Sequence, residues 1–302
     1  MTKISELITG GTSFSVELWP PRNPDAEARL EQVLSELEPL RPTFTSITYG
    51  AGGSTRERTH DLVVRIAREG VMTPMAHLVC AAHSRDELTG ILTRYRDEGV
   101  DNILALTGDP PLDATVPLAR GELAHAIELV ELAKEVGDFC VAVAAHPEGH
   151  PQSGDMEADR NYLAEKLAVA DFAITQFFFD ADHYFRLLDD LDARGLDKPV
   201  LPGIMPVTRV RTVYKMAELS GTRVPGDLVE RLEKVADIPE EVRRIGIEVA
   251  TDLGARLLEG GAPGLHFYTM NESVATIEIA RALGIGAQRP AEVPEEDATR
   301  GA

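Results

Sequence analysis

Short β-rich runs alternate along this chain with longer amphipathic segments, and that order restricts the fold more than any other property of the sequence. Eight runs qualify: SFSVEL at 13–18, FTSITY at 44–49, PMAHLV at 74–79, NILALT at 102–107, CVAVAAH at 140–146, FAITQFF at 172–178, VLPGIMP at 200–206 and LHFYTM at 265–270. Most are nearly continuous in apolar residues, as strands covered on both faces must be. Between them, the segment 25–40 sets Leu30, Val33, Leu34, Leu37 and Leu40 at helical spacing behind an acidic first turn. Similar patterns span 54–68 and 84–97, with Ser54 and Ser84 as the expected N-caps. A βα unit repeated eight times builds a parallel sheet that closes most naturally into a single α/β (βα)8 TIM barrel, here over residues 1–285. A doubly wound open sheet would give a similar string, but no G-x-G-x-x-G follows the first strand.

Two segments interrupt the repeat. Residues 110–121 form a proline-containing loop after the fourth strand, where barrels place their active-site loops, and are a candidate lid. Residues 220–258 add extra helix before the eighth strand. The polar, acidic stretch 286–302 is expected to be poorly ordered.

Hydrophobic residues at 43% and charged residues at 26% suffice for a sizeable core, while a net charge of −20 argues against nucleic acid or an anionic membrane surface as partner. Small-molecule ligands fit this balance better. Cys80 and Cys140 each sit in an apolar run and read as buried, reduced thiols rather than a disulfide or metal pair. No apolar run reaches membrane-spanning length and MTKISELITG has no signal-like core, so a cytoplasmic location is expected.

In such a barrel the functional side chains project from the C-terminal strand ends. Those ends carry Glu17, Thr48 and Tyr49, His77, Gly108 and Asp109, His146 with His150 beyond it, Gln176, then Tyr268 and Asn271. Glu17 stands between Val16 and Leu18 with Trp19, Pro20 and Pro21 following, a setting that disfavours the carboxylate and should raise its pKa. That suits a proton donor near neutral pH, although a strand-terminal glutamate equally suits an ion pair with Arg22. Asp109 in TGDPP either aims over the barrel mouth or opens a turn, and Gln176 must bond either a ligand or neighbouring backbone. In HPEGH at 146–150, a proline and a glycine deny the two imidazoles helical spacing, so no metal is expected there and hydrogen bonding to a ligand or loop structure is the reading.

Taken together, S-V-E-L-W-P-P-R, S-I-T-Y-G-A-G-G-S, A-L-T-G-D-P-P, A-A-H-P-E-G-H-P, A-I-T-Q-F-F-F-D and L-H-F-Y-T-M-N resemble the strand ends of methylenetetrahydrofolate reductases, over residues 13–285. The resemblance implies reduction of 5,10-methylenetetrahydrofolate to 5-methyltetrahydrofolate with NADH or NADPH. It assigns Glu17 as the acid that helps protonate N10 and Asp109 as the carboxylate that binds the pterin and favours the iminium cation. It adds Gln176 and Tyr268 on the substrate, and Thr48, His77, Thr107, Gly108, His146 and His150 on the cofactor.

Most of that family carries FAD and reads L-R-G-D at the fourth strand, whereas this chain has Thr107 in the arginine position. Where the family places an asparagine and an arginine on the dinucleotide, this chain aligns Tyr162 and Glu165, and His125 and His146 replace family aromatics. Thr48, His77, His150, Asp159 and Lys166 match, while Thr212, Met216 and Glu272 depart on the folate and nicotinamide side. Lost cationic hydrogen bonds, each worth ~1.5–3 kcal/mol, and an added anion weaken FAD binding. The chain therefore resembles the flavin-independent members found in actinobacteria, with hydride passing directly from NADH to the folate; an FAD-containing reductase and a non-catalytic folate-binding barrel are the alternatives.

Overall fold

A computed structural model describes residues 2–50, 55–108 and 121–286. After a short helix α1 (Ile4–Thr9), the order is β1 (Ser13–Leu18), α2 (Pro24–Leu37), β2 (Phe44–Ile47), α3 (Arg56–Glu69), β3 (Pro74–Val79), α4 (Arg85–Asp97), β4 (Asn102–Leu106), α5 (Ala126–Val136), β5 (Cys140–Ala145) and α6 (Met156–Val169). It continues with β6 (Phe172–Phe177), α7 (Ala181–Asp192), β7 (Val200–Ile204), α8 (Val210–Ser220), α9 (Gly226–Glu233), α10 (Pro239–Glu259), β8 (Gly264–Tyr268) and α11 (Val274–Ala282). All eight strands are parallel and β8 pairs back onto β1, so the sheet closes in chain order as the alternation predicts. The extra helical stretch resolves into two helices, α9 and α10. The loop 110–120 and the tail 287–302 lie outside the described residues.

Local chemistry sets the helix starts. Asn23 accepts from the Ala26 amide ahead of Pro24, and Ser84 with Glu87 forms a reciprocal capping box at α4 as expected. At α3 the cap position belongs to Thr55, and Ser54 lies outside the described residues. The Thr55 hydroxyl makes no cap bond, because it accepts from the Gly50 amide and pairs with Thr59, tying the helix to the loop after β2.

Alternation along each strand divides the side chains between two cores. On β1, Phe14, Val16 and Leu18 pack outward into the layer between barrel and helices, while Ser13, Ser15 and Glu17 take the inner face. The lower interior is a separate apolar cluster of Phe44, Met75, Leu104, Cys140, Phe172, Ile174 and Leu201, closed from below by Ile4 and Ile8 of α1. Nothing in the periodicity of the first ten residues announces this plug. It is fixed by the fully buried Asn102, whose Oδ1 accepts from the Ile4 amide at 2.9 Å. Cys140 borders the same plug, buried and unpaired as the sequence implies.

Asn102→Ala leaves the Ile4 amide without its partner at the face opposite the strand ends. It should lower the unfolding free energy by about 1–3 kcal/mol in chemical denaturation while leaving turnover per folded molecule unchanged.

Candidate active site

Glu17 is the second-last residue of β1, in register with Ser46 of β2 on one side and Tyr268 of β8 on the other. Its side chain is 13% exposed, and His77 of β3 approaches it with Nε2 3.7 Å from Oε2. Burial pushes the carboxyl from its ordinary 4.5 up to about 8. Burial likewise pushes His77 down to about 3, so the imidazole is neutral and supplies no charge to stabilise a carboxylate. Its Nε2 has no hydrogen-bond partner among the described residues. Arg22, the alternative partner for Glu17, does not pair with it: the carboxyl faces the His77 imidazole instead.

Beneath this pair lies a polar layer that the sequence reading missed. His266 of β8 spans two serines, with Ser15 Oγ 2.9 Å from Nδ1 and Ser46 Oγ 3.3 Å from Nε2. The Ser15 hydroxyl also contacts the Leu265 carbonyl at 3.4 Å; if it donates there, it accepts from Nδ1–H, and Nε2 is left to accept from Ser46. Burial, with His77 nearby, holds His266 at about 3. Its ring stacks on Phe44, joining this layer to the apolar cluster below.

Tyr268 shares the inner face, and its hydroxyl donates to the Thr175 carbonyl at 2.6 Å. The ring fits because residue 203 is glycine: a Cβ there would come within 2.5 Å of it. Tyr268 therefore offers a ligand its ring and oxygen lone pairs, not a free proton. The Gln176 Oε1 accepts from the Phe177 amide at 3.0 Å, so neighbouring backbone satisfies that half of the amide. Gln176 lines a cleft with His146, Gly149 and Thr222, across the barrel from β1.

The remaining expected residues gather at the ends of β4 and β5. Thr107 is exposed, and Gly108 adopts φ 101°, where a Cβ would strike Ala81 at 2.8 Å. The His146 and His150 rings meet edge to face at 4.6 Å, and burial takes His146 down to about 3. Asp159 accepts from the His150 amide and pairs with Arg160, which also donates to the His146 and Pro147 carbonyls. Lys166 is buried, lies 5.4 Å over the Tyr162 ring, and is lowered to about 8 by burial. Glu165 is exposed on the same helix, and His125 meets Tyr162 at 5.7 Å. Thr48 sits half-buried just past β2, its amide bonded to the Leu18 carbonyl.

Glu17, His77 and Tyr268 thus converge on one mouth, with Thr48 at its rim. Asp109 lies outside the described residues, directly after Gly108. Two further residues belong to this mouth. Trp19 follows Glu17 by two residues, and Asn271 holds its backbone; both stood in the quoted motifs, but their pairing crosses 252 positions and had no local signal. Among the described residues no three potential metal ligands cluster, and no helix is long and apolar enough to cross a membrane.

The family model described as methylenetetrahydrofolate reductase matches residues 2–284. A 5,10-methylenetetrahydrofolate reductase of Pectobacterium carotovorum is 36% identical over 279 residues, covering 92% of each chain. That of Escherichia coli is 35% identical, covering 92% of this chain and 93% of its own. Methylenetetrahydrofolate reductase (NADH) 1 of Arabidopsis thaliana is 34% identical over 91% of this chain and 49% of its own. Among solved structures, an uncharacterized Clostridium thermocellum protein that binds 5-methyl-5,6,7,8-tetrahydrofolic acid aligns with TM-score 0.62 at 14% identity, covering 93% of this chain and 98% of its own, a likeness of fold.

The folded protein holds on Glu17 a proton that the unfolded chain releases near 4.5, so stability falls as pH climbs from there through about 8. The loss amounts to about 5 kcal/mol once both states are ionised. Glu17→Gln removes it: the variant should melt above the wild type at alkaline pH, with the gap closing below pH 4.5. Parallel melting curves across the range would show that Glu17 keeps an ordinary pKa.

Proposed function

The chain belongs to the methylenetetrahydrofolate reductase family, and from that membership we propose that it reduces 5,10-methylenetetrahydrofolate by direct hydride transfer from NADH, both ligands bound together, with Glu17 as the proton donor. The observation that carries the reading is an acid kept neutral at the barrel mouth, with no cation beside it among the described residues. A hydride adds readily only to an electron-poor carbon. Glu17 gives its proton to N10, the N10–methylene bond breaks, and a 5-iminium cation results; the nicotinamide C4 hydride then adds to that carbon and leaves a methyl group on N5. One NADH and one proton are consumed, and Glu17 is reprotonated from solvent. Asp109, ionised, would bind the pterin and favour the cation; Gln176 and Tyr268 would contact the pterin.

On the cofactor side, the proposal assigns Thr48, His77, Thr107, Gly108, His146 and His150 to the nicotinamide dinucleotide. Flavin fits this side poorly. The helix that would face a flavin diphosphate carries two buried cations: Lys166, whose charge burial weakens and which lies over the Tyr162 ring, and Arg160, already paired with Asp159 and Asp190, while exposed Glu165 adds an anion. No step is therefore routed through FAD. The NADH designation of the Arabidopsis relative supports the choice of reductant.

An absorbance spectrum of freshly isolated protein, followed by NADH oxidation with methylenetetrahydrofolate, tests both parts. The expected results are no flavin band and intersecting initial-rate lines. A yellow protein with parallel lines would overturn direct transfer. Glu17→Gln should cut kcat at least ~100-fold with little change in folate affinity, and wild-type kcat/KM should decline on the basic side near pH 8.

A further inference from the structure

Tyr268 of β8 and Gln176 of β6 lie on strands that are not neighbours in the barrel, because β7 stands between them. The Tyr268 hydroxyl nonetheless reaches across β7 and donates to the Thr175 carbonyl at 2.6 Å. With that carbonyl occupied, the Gly203 amide of β7 donates to the Thr175 hydroxyl instead, at 2.9 Å. In an unbroken parallel ladder a strand amide meets a carbonyl of the adjacent strand, so here the Thr175 side chain stands in for main chain. Gly203 makes the crossing possible: a Cβ on it would overlap the Thr175 oxygen and come within 2.5 Å of the Tyr268 ring.

At the same place β6 changes register. Ile174 pairs with Leu201 and Phe177 with Gly203, three steps on one strand against two on the other, which is a bulge of one residue. The side chains record the shift. Phe172 and Ile174 face the inner cluster and strict alternation would put Phe178 with them, yet Phe178 stacks on Tyr184 of α7 in the outer layer. Gln176 falls inside the bulged stretch. Its Oε1 accepts from the Phe177 amide at 3.0 Å, which leaves Nε2 for a ligand in the cleft shared with His146 and Gly149. Thr222 donates to the Phe177 carbonyl at 3.0 Å and holds the far end of the bulge.

We propose that Gly203 is a positioning residue for Gln176: the bare backbone at 203 admits the bridge from Tyr268 to Thr175, and that bridge holds β6 in the bulged form that turns Gln176 into the cleft. The proposal rests on the reading of Gln176 as a folate contact. Bulges beside functional sites re-aim a side chain, and this one is secured by two hydrogen bonds that need position 203 empty. An added methyl group must displace either the Thr175 carbonyl or the Tyr268 ring, and either movement loosens the bulge.

Gly203→Ala should raise the Kd for 5-methyltetrahydrofolate, read by titration calorimetry, about tenfold, the scale of one lost hydrogen bond to a ligand. KM for NADH should stay within about twofold and the basic limb of kcat/KM should not move, because Glu17 is untouched. Thr175 is fully buried and cannot meet a ligand, so its variants test the bridge even if alanine at 203 prevents folding. Thr175→Val deletes the acceptor of the Gly203 amide and should weaken folate binding about threefold, whereas Thr175→Ser keeps the acceptor and should bind as the wild type does. In a Gln176→Ala background Gly203→Ala should add nothing further, since no amide is left to aim. A loss that persists in that background, unchanged folate affinity in Gly203→Ala, or equal weakening by Thr175→Val and Thr175→Ser would overturn the proposal while leaving Gln176 as a substrate contact. Wild-type folate affinity in Gln176→Ala would instead remove the contact itself, and Gly203 would have nothing to position.

Discussion

A carboxyl group enclosed at the mouth of a barrel, with no cation in reach among the described residues, is the constraint around which the rest of this molecule is arranged. Water would keep Glu17 ionised, and a lysine or arginine would do the same more strongly. The strand ends supply neither: His77 is neutral because it is itself buried, and Tyr268 has its proton committed to Thr175. The acid is consequently neutral where an ordinary glutamate is charged. Keeping it so draws on the fold's stability at alkaline pH, as expected where function and stability compete for one residue.

The barrel interior is graded to match. At its base Ile4 and Ile8 seal an apolar cluster, one level up His266 is held between Ser15 and Ser46, and at the top level His77 keeps an Nε2 without a partner among the described residues. Each level restrains the next. Phe44 stacks on His266, and the two serines that hold His266 lie on the strands flanking and bearing Glu17. An unanchored neutral imidazole in the middle level could turn a ring nitrogen toward the acid; two hydroxyls spend both nitrogens first. The polar middle layer thus separates a region that must stay dry from one that must meet ligand.

Sequence pattern carried the strands well, because period and apolar continuity are local properties: β1 and β3 have the expected limits, and the others differ by one or two residues at their ends. It also carried Glu17, since a single acid in SFSVEL must face inward if Phe14, Val16 and Leu18 face the helices. Plug, middle layer and clamp escaped it for one reason. Ile4 meets Asn102, Ser15 meets His266 and Trp19 meets Asn271 only after the barrel has closed and brought β8 against β1. A short helix such as α1 has too few residues for periodicity, and its Lys3 cap makes no side-chain bond to mark the start. The motif residues around Trp19 and Asn271 were visible, but their partnership was not.

That closure bears on how one fold can serve two cofactor chemistries. The acid and its imidazole neighbour sit on β1 and β3, with the Trp19–Asn271 pair just past β1 and β8, whereas the groups proposed to meet the dinucleotide gather at the ends of β4 and β5 and on α6. On the second arc Lys166 lies over Tyr162 and His146 meets His150, contacts that involve no residue of the first arc, and substitutions at separated sites without shared partners act nearly independently. As proposed, the proton donor would depend on burial and on the β1–β8 seam, and the hydride donor on what the opposite rim can hold. A lineage could therefore exchange the molecule that delivers the hydride while keeping unchanged the residue that makes the carbon ready to receive it.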